Sequence, residues 1–173
     1  MRHLHTILLG AVLIISGALA AFGQGAEVDF GSFSHDSSLP VDVTADQLDI
    51  SQADRRAVLT GNVVVGQGDL RMTSARMVLN YAEGSQGGAS GRITRVEAEG
   101  DVVLRTAGEA AEADRAVYTL DDGIIVLTGD VILTQGPNVM SGSRLTIDLD
   151  EATGRMEGPV AMTISPENGG GGE

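Results

Sequence analysis

Leu59-Thr60-Gly61-Asn62-Val63 decides how this chain folds, because the same phrase returns three times further along. It recurs as Glu99-Gly100-Asp101-Val102, Thr128-Gly129-Asp130-Val131 and Glu157-Gly158-Pro159-Val160. Each copy sets a Gly, then a small polar residue or Pro, then Val, inside a run that alternates apolar with polar. The glycines fall at intervals of 39, 29 and 29 residues. Arg76, Arg115 and Arg144 each follow their Gly by 15 residues, and each opens a second alternating run. Self-similarity of this kind means one two-stranded unit stacked on copies of itself, so that each repeat touches only its neighbours. Such a chain offers an extended binding or bridging surface rather than a compact catalytic fold.

Within the repeats the period is two. Every second residue through the Gly phrases gives Ala57, Leu59, Val63 and Val65, then Val96, Ala98, Val102 and Leu104, then Ile125, Leu127, Val131 and Leu133. The last copy gives Met156, Val160, Met162 and Ile164. The Arg phrases behave alike, with Met77, Leu79 and Tyr81, then Ala116, Tyr118 and Leu120, then Leu145, Ile147 and Leu149 on one face. Leu48 and Ile50 read as the second half of a partial first copy. Strict alternation predicts half-buried antiparallel strands, apolar inside and polar outside. No stretch offers a sustained amphipathic helix to cover the sheet. Arg76, Arg115 and Arg144 fall on the outer face, where pairing with carboxylates on neighbouring strands is the expected role rather than contact with phosphate.

Gly-Asn and Gly-Asp between apolar runs also suit a two-residue hairpin turn. Separate turn clusters at Gly66-Gln67-Gly68-Asp69, Ala107-Gly108, Asp121-Asp122-Gly123 and Gln135-Gly136-Pro137 favour a continuous strand bent at the Gly. The segment 83–91, rich in Gly and Ser, supplies the ten-residue excess of the first interval and is expected to be a long hairpin loop.

Composition narrows the function. The net charge is −13, every basic residue is Arg, and Cys and Trp are absent. An acidic surface argues against nucleic acid, whose backbone demands a basic one. Without Cys, no disulfide staples the fold. Arg2 precedes an uncharged run from Thr6 to Phe22 that ends in small residues, with Ala18-Leu19-Ala20 or Ala21-Phe22-Gly23 as cleavage signal. The run is short for a membrane span, which needs about 20 apolar residues. Residues 1–23 are therefore expected to be a signal peptide, 24–40 a flexible segment, 41–164 the ordered domain and 165–173 a disordered Gly-rich tail. A retained leader, giving a membrane anchor, is the alternative.

Through its repeated phrases the chain resembles the OstA-like domain family. The likeness runs through Leu59-Thr60-Gly61-Asn62-Val63 to Ser74-Ala75-Arg76-Met77, and again through Val126-Leu127-Thr128-Gly129-Asp130-Val131 to Gly142-Ser143-Arg144-Leu145-Thr146-Ile147. The resemblance implies an all-β fold, a twisted, partly open antiparallel β-jelly roll. It implies periplasmic transport of lipopolysaccharide, with lipid A acyl chains held in the apolar interior and the molecules stacked head-to-tail. The implied partners are lipopolysaccharide, an inner-membrane-anchored relative, the periplasmic domain of an outer-membrane translocon, and further copies of the chain. The family offers no catalytic motif, metal or cofactor to carry over.

The expected lipid-binding wall is then the inward set. It comprises Leu48 and Ile50; Leu59, Val63 and Val65; Met77 and Leu79; Val102 and Leu104; Tyr118; Ile125, Leu127, Val131 and Leu133; Leu145 and Ile147; and Val160 and Met162. Each methylene withdrawn from water is worth about 0.8 kcal/mol, so acyl chains suit such a wall. The same residues packed on one another would make an ordinary β-sandwich core. Residues 41–50 and 155–164 would form open edges, which pair with other chains unless covered. A head-to-tail join of unlike edges yields filaments rather than closed dimers. Residues 24–40 folding back would cover an edge, and Pro159 removes one donor from the last strand.

Rival classes fare worse. A calcium-binding β-roll needs a nine-residue Gly-Asp repeat that a 29-residue spacing does not supply. Beyond the leader His35 is the one histidine, and no G-x-S-x-G phrase occurs, which leaves little for catalysis or metal binding. An anchored relative acting one step earlier in the same transfer, and an exported β-repeat protein of purely structural role, remain as alternative functions.

Overall fold

The computed structural model describes residues 26–29, 39–83 and 91–165. The signal-peptide region, the inner part of the 83–91 loop and the end of the Gly-rich tail lie outside the described residues. Eleven strands form one antiparallel sheet among them. They are β1 (Ala26–Asp29), β2 (Val41–Thr44), β3 (Gln47–Ser51), β4 (Arg56–Gln67), β5 (Leu70–Tyr81), β6 (Ile93–Arg105), β7 (Glu109–Thr119), β8 (Ile124–Gln135), β9 (Asn138–Asp148), β10 (Thr153–Glu157) and β11 (Ala161–Thr163). From β4 to β10 each strand pairs with the next in sequence, as stacked repeats require. The fold is the expected open, all-β jelly roll.

The Gly phrases bend this sheet without interrupting it. β4, β6 and β8 run through Gly61, Gly100 and Gly129 as single strands, so the hairpin reading of those positions is not realised. At each, two residues of the Gly strand oppose one on the following strand. Gly61-Asn62 faces Ala75, Gly100-Asp101 faces Asp114, and Gly129-Asp130 faces Ser143. Such bulges kink the bulged strand and increase its twist. The backbone is left-handed at Gly61 (φ 77°) and Asn62 (46°), and again at Gly100 (79°) and Asp101 (48°). Asn and Asp tolerate that region better than other side-chain-bearing residues, which explains the small polar residue after Gly. Asp130 and Pro159 have no positive φ, so Pro is admissible in the fourth copy.

The bulges line up across the sheet as a crease that divides it into two leaves. The first leaf holds β3, residues 56–60 of β4, the matching parts of β5 to β9, β10 and β1. The second holds β2, residues 63–67 of β4, the remaining parts of the long strands, and β11. Long central strands bend at the crease, whereas the terminal ones break there. β2 and β3 both pair with β4 on either side of Asp46, and β10 and β11 both pair with β9 on either side of Gly158-Pro159. Pro159 thus marks a bend.

Every fully buried large side chain lies on the inner side of this folded sheet, where Met77, Ile125, Leu127, Leu145 and Met156 of the first leaf meet Val63, Val102, Leu104 and Leu133 of the second. No helix covers them among the described residues, so the leaves cover each other. The long Arg-bearing strands slip phase at the crease. In β5 the inward residues are Met72 and Ser74, then Met77 and Leu79; in β7 they are Ala111 and Ala113, then Ala116 and Tyr118. A one-residue bulge on the partner forces this three-residue step. The inward residue two before each Arg is small (Ser74, Ala113, Gly142), because the leaves converge there. A Cβ on Gly142 would stand 2.7 Å from the Met156 side chain. Ser74 satisfies its hydroxyl by donating to the Arg76 carbonyl oxygen at 3.0 Å.

On the outer face the arginines form a ladder along the crease. Arg76 pairs with Glu99 at 3.7 Å, Arg115 with Glu99 at 3.0 Å and Glu97 at 2.8 Å, and Arg144 with Glu157 at 3.5 Å. Hydrogen bonds from Arg95, and then from Arg115, hold the Glu97 carboxyl below its ordinary value of 4.5 against the opposing effect of burial. A carboxylate with a depressed pKa adds stability above its unfolded value and loses it as the pH falls through the folded one. Glu97→Gln should therefore cost about 0.2–1 kcal/mol at neutral pH, the range of exposed ion pairs. That difference from wild type should vanish as urea melts are taken below pH 4.5. A difference that persisted there would mean Glu97 acts through packing instead.

Candidate functional site: the apolar interior and its mouths

The interior is continuous with solvent at the N-terminal end of the sheet. Antiparallel register sets Leu48 opposite Leu59 and Ile50 opposite Ala57, so β3 turns its apolar residues to the same face as the core. In β2, Val43 stands opposite Val65. Among the described residues nothing packs outside them: Leu48 is 54% exposed and Ile50 49%. Val41, Val43, Leu48 and Ile50 line an open cleft, backed by Leu59, Leu79, Tyr81 and Ile93. It adjoins a narrower space between the leaves, lined by Val65, Gln67, Leu70 and Met72 of the second leaf and Leu79, Val96, Tyr118 and Leu120 of the first. The two share Val41, Val43, Leu79 and Ile93 and form one apolar opening.

This opening is uncharged. Burial raises the Tyr81 phenol above its ordinary 10.0, and burial together with the charge of Asp150 raises Tyr118, so both stay neutral at physiological pH. Within the opening Gln67 of the second leaf donates its Nε2 to the Leu39 carbonyl oxygen at 2.9 Å, and a buried carboxyl lies further along the same leaf. There the buried Glu109 accepts a hydrogen bond from Gln135 Nε2 at 2.7 Å.

The sequence-predicted wall sorts into three groups. Leu59, Val63, Met77, Leu79, Val102, Leu104, Tyr118, Ile125, Leu127, Val131, Leu133, Leu145 and Ile147 are buried on the inner face. Val65 and Val160 are half-buried against that core. Leu48, Ile50 and Met162 are inward but exposed, at the two ends of the stack. At the C-terminal end Met162 lies opposite the buried Met140, and Ile164 beyond it is 68% exposed. Sequence reasoning missed Val41 and Val43 at the mouth, and Met72, Ala111, Ala113 and Met140 in the second leaf. The phase slip hid the last four, although the small residue two positions before each Arg carries its signal. In the segment expected to be flexible, the structure places strand β1, while 30–38 lie outside the described residues. β1 pairs with β10, so the expected C-terminal edge is covered along β10 and, among the described residues, uncovered along β11.

Fold and interior define a class: one creased, open β-sheet with an apolar interior that reaches the surface at its ends. A sequence profile of the family described as LptA/(LptD N-terminal domain) LPS transport protein matches residues 42–153, and the chain belongs to this family. It is 30% identical to an uncharacterised protein of Rhizobium meliloti (strain 1021) over 92% of this chain and 88% of that one. It is 23% identical to the lipopolysaccharide export system protein LptA of Escherichia coli (strain K12), over 78% of this chain and 71% of that one. Among solved structures, it matches LptH, the LptA-homologous periplasmic component of the lipopolysaccharide transport device of Pseudomonas aeruginosa. The TM-score is 0.65 at 18% identity, over 74% of this chain and 96% of LptH. The family relationship supports a role in lipopolysaccharide transport, in a family of transport proteins rather than enzymes.

Proposed function

We propose that this protein carries lipopolysaccharide across the periplasm, sheltering lipid A acyl chains between its leaves and joining other copies head-to-tail into a bridge. An inner-membrane-anchored relative would load it, and the periplasmic domain of an outer-membrane translocon would receive the cargo. The observation that carries this reading is the inward, exposed row Val41, Val43, Leu48 and Ile50 at the mouth of an apolar interior. An exposed apolar row on an edge strand is a liability for a free-standing protein, and one that a lipid or a neighbouring copy relieves. The lining of the mouth carries no charged side chain and is mostly aliphatic, which suits acyl chains of varied length.

A photocrosslinking residue placed in cells at Val43, Ile50 or Leu79 should yield lipopolysaccharide adducts, with Arg115 on the outer face as control. Adducts at the inner positions and none at Arg115 support the groove. None at any inner position, in folded and exported protein, would leave the exported structural repeat as the better reading.

A further inference from the structure

The two ends of the sheet are matched in design but not in occupancy. Each ends in a strand split at the crease, with one segment per leaf: β2 and β3 at the N-terminal end, β11 and β10 at the C-terminal end. No strand lies outside β2, β3 or β11 among the described residues. β10 is different, because its outer side is taken by β1 over four rungs, from Ala26↔Met156 to Asp29↔Thr153.

A second copy translated along the stack would set its β2 beside β11 and its β3 beside β10. Strand directions alternate without exception from β3 to β10, so the incoming β3 would run antiparallel to β10, in the same sense as β1. The two strands therefore need one row of backbone donors and acceptors. Both candidate leader cleavage points precede Ala26, so β1 stays in the mature chain.

We propose that β1 is an intramolecular cap on the C-terminal edge, and that copies join by exchanging β1 for β3 of the next copy. This rests on the reading that the edges are the self-association surface. The exchange replaces four rungs on β10 by those of the five-residue β3, and adds pairing of β2 with β11 and closure of the exposed apolar mouth. Backbone pairing on β10 is nearly conserved, so the added contacts set the direction. A chain whose binding-competent form is a minor fraction binds more weakly by that fraction, and removal of the cap restores the intrinsic affinity.

The native chain has no Cys, so the cap can be locked cleanly. Glu27 and Arg155 are register partners, and antiparallel Cα partners about 4.5–5.5 Å apart fall within disulfide reach. Sedimentation velocity of the mature chain gives the self-association constant. Oxidised Glu27→Cys/Arg155→Cys should associate at least tenfold more weakly than its reduced form. Glu27→Pro/Val28→Pro removes the strand's donor toward β10 and should associate at least tenfold more tightly than wild type. Ile50→Asp at the opposite edge separates the two readings, with thermal melts confirming that every variant is folded. If Ile50→Asp weakens association while the locked and proline variants match wild type, the cap is wrong and the edge interface stands. If Ile50→Asp changes nothing, or no form associates, the edge interface is wrong and the cap falls with it.

Discussion

Gly129→Ala should lower the stability of the domain by about 4 kcal/mol, combining a left-handed backbone cost of ~1–3 kcal/mol with an overpacking cost of ~1–3 kcal/mol. Gly129 has φ 107°, and a Cβ there would lie 2.2 Å from Asp114 Oδ2, 2.5 Å from Cγ and 2.6 Å from Cβ. The oxygen can swing away, since Asp114 is exposed. Its Cβ is fixed by the backbone and cannot. At roughly 2–4 °C per kcal/mol for a chain of this size, the melting temperature should fall by about 10 °C. Gly136 is the internal control, with a positive φ of 53° and nothing within 4 Å of where a Cβ would stand. Gly136→Ala should cost only about 1–2 kcal/mol, from backbone conformation alone. Asp114→Gly in the Gly129→Ala background should recover the steric part and leave the backbone part. Equal losses for Gly129→Ala and Gly136→Ala would show that close packing at the crease does not hold the two leaves at their angle.

That experiment probes the feature through which the sequence was most legible. A period of two, interrupted at even spacing by Gly and a small polar residue, is local information, and it carried both the strands and their bends. Continuity of β4 through Gly61 was readable because turn residues were already present at Gly66-Gln67-Gly68-Asp69, leaving no second turn to place. The outer ladder was readable too, since Arg76, Arg115 and Arg144 shared one face with acidic neighbours.

What stayed hidden depends on pairing between distant residues. Met72, Ala111 and Met140 have the opposite parity to Met77, Ala116 and Leu145, and only a bulge on the neighbouring strand sets that slip. Period-two reasoning within β5, β7 or β9 extrapolates the wrong face. The exposure of Leu48, Ile50 and Met162 was equally out of reach. They belong to the inner row by register, but a row is buried only where a further strand or leaf lies over it, and the ends of a stack lack one. β1 was hidden for a third reason. Four residues, Ala26-Glu27-Val28-Asp29, hold too little pattern to announce a strand. Their partner is almost the whole domain away in sequence, at Thr153–Met156.

This division between packed core and open mouth yields the second large effect: stability and lipid affinity should respond to different residues. Leu127 is fully buried, opposite Ala116 on one side and Leu145 on the other. Leu127→Ala should cost about 2–5 kcal/mol of stability, the range for a leucine truncated in a core that relaxes only partly. Well below its lowered melting temperature, it should still bind lipopolysaccharide within about threefold of wild type, since 1.4 kcal/mol is a factor of ten in affinity and Leu127 does not reach the mouth. Ile50→Asp should behave the other way round. Ile50 is half exposed, so its replacement should change stability by less than about 1 kcal/mol. Removing an apolar contact worth up to about 1.5–3 kcal/mol when buried, and setting a carboxylate against an acyl chain, should weaken lipopolysaccharide binding at least tenfold. Displacement of a polarity-sensitive fluorescent probe reads affinity, and urea melts of the same samples read stability. Leu127→Ala abolishing binding in folded protein would place the acyl chains in the deep core, with the leaves parting to admit them. Ile50→Asp binding as tightly as wild type would remove the N-terminal mouth from the path of the lipid.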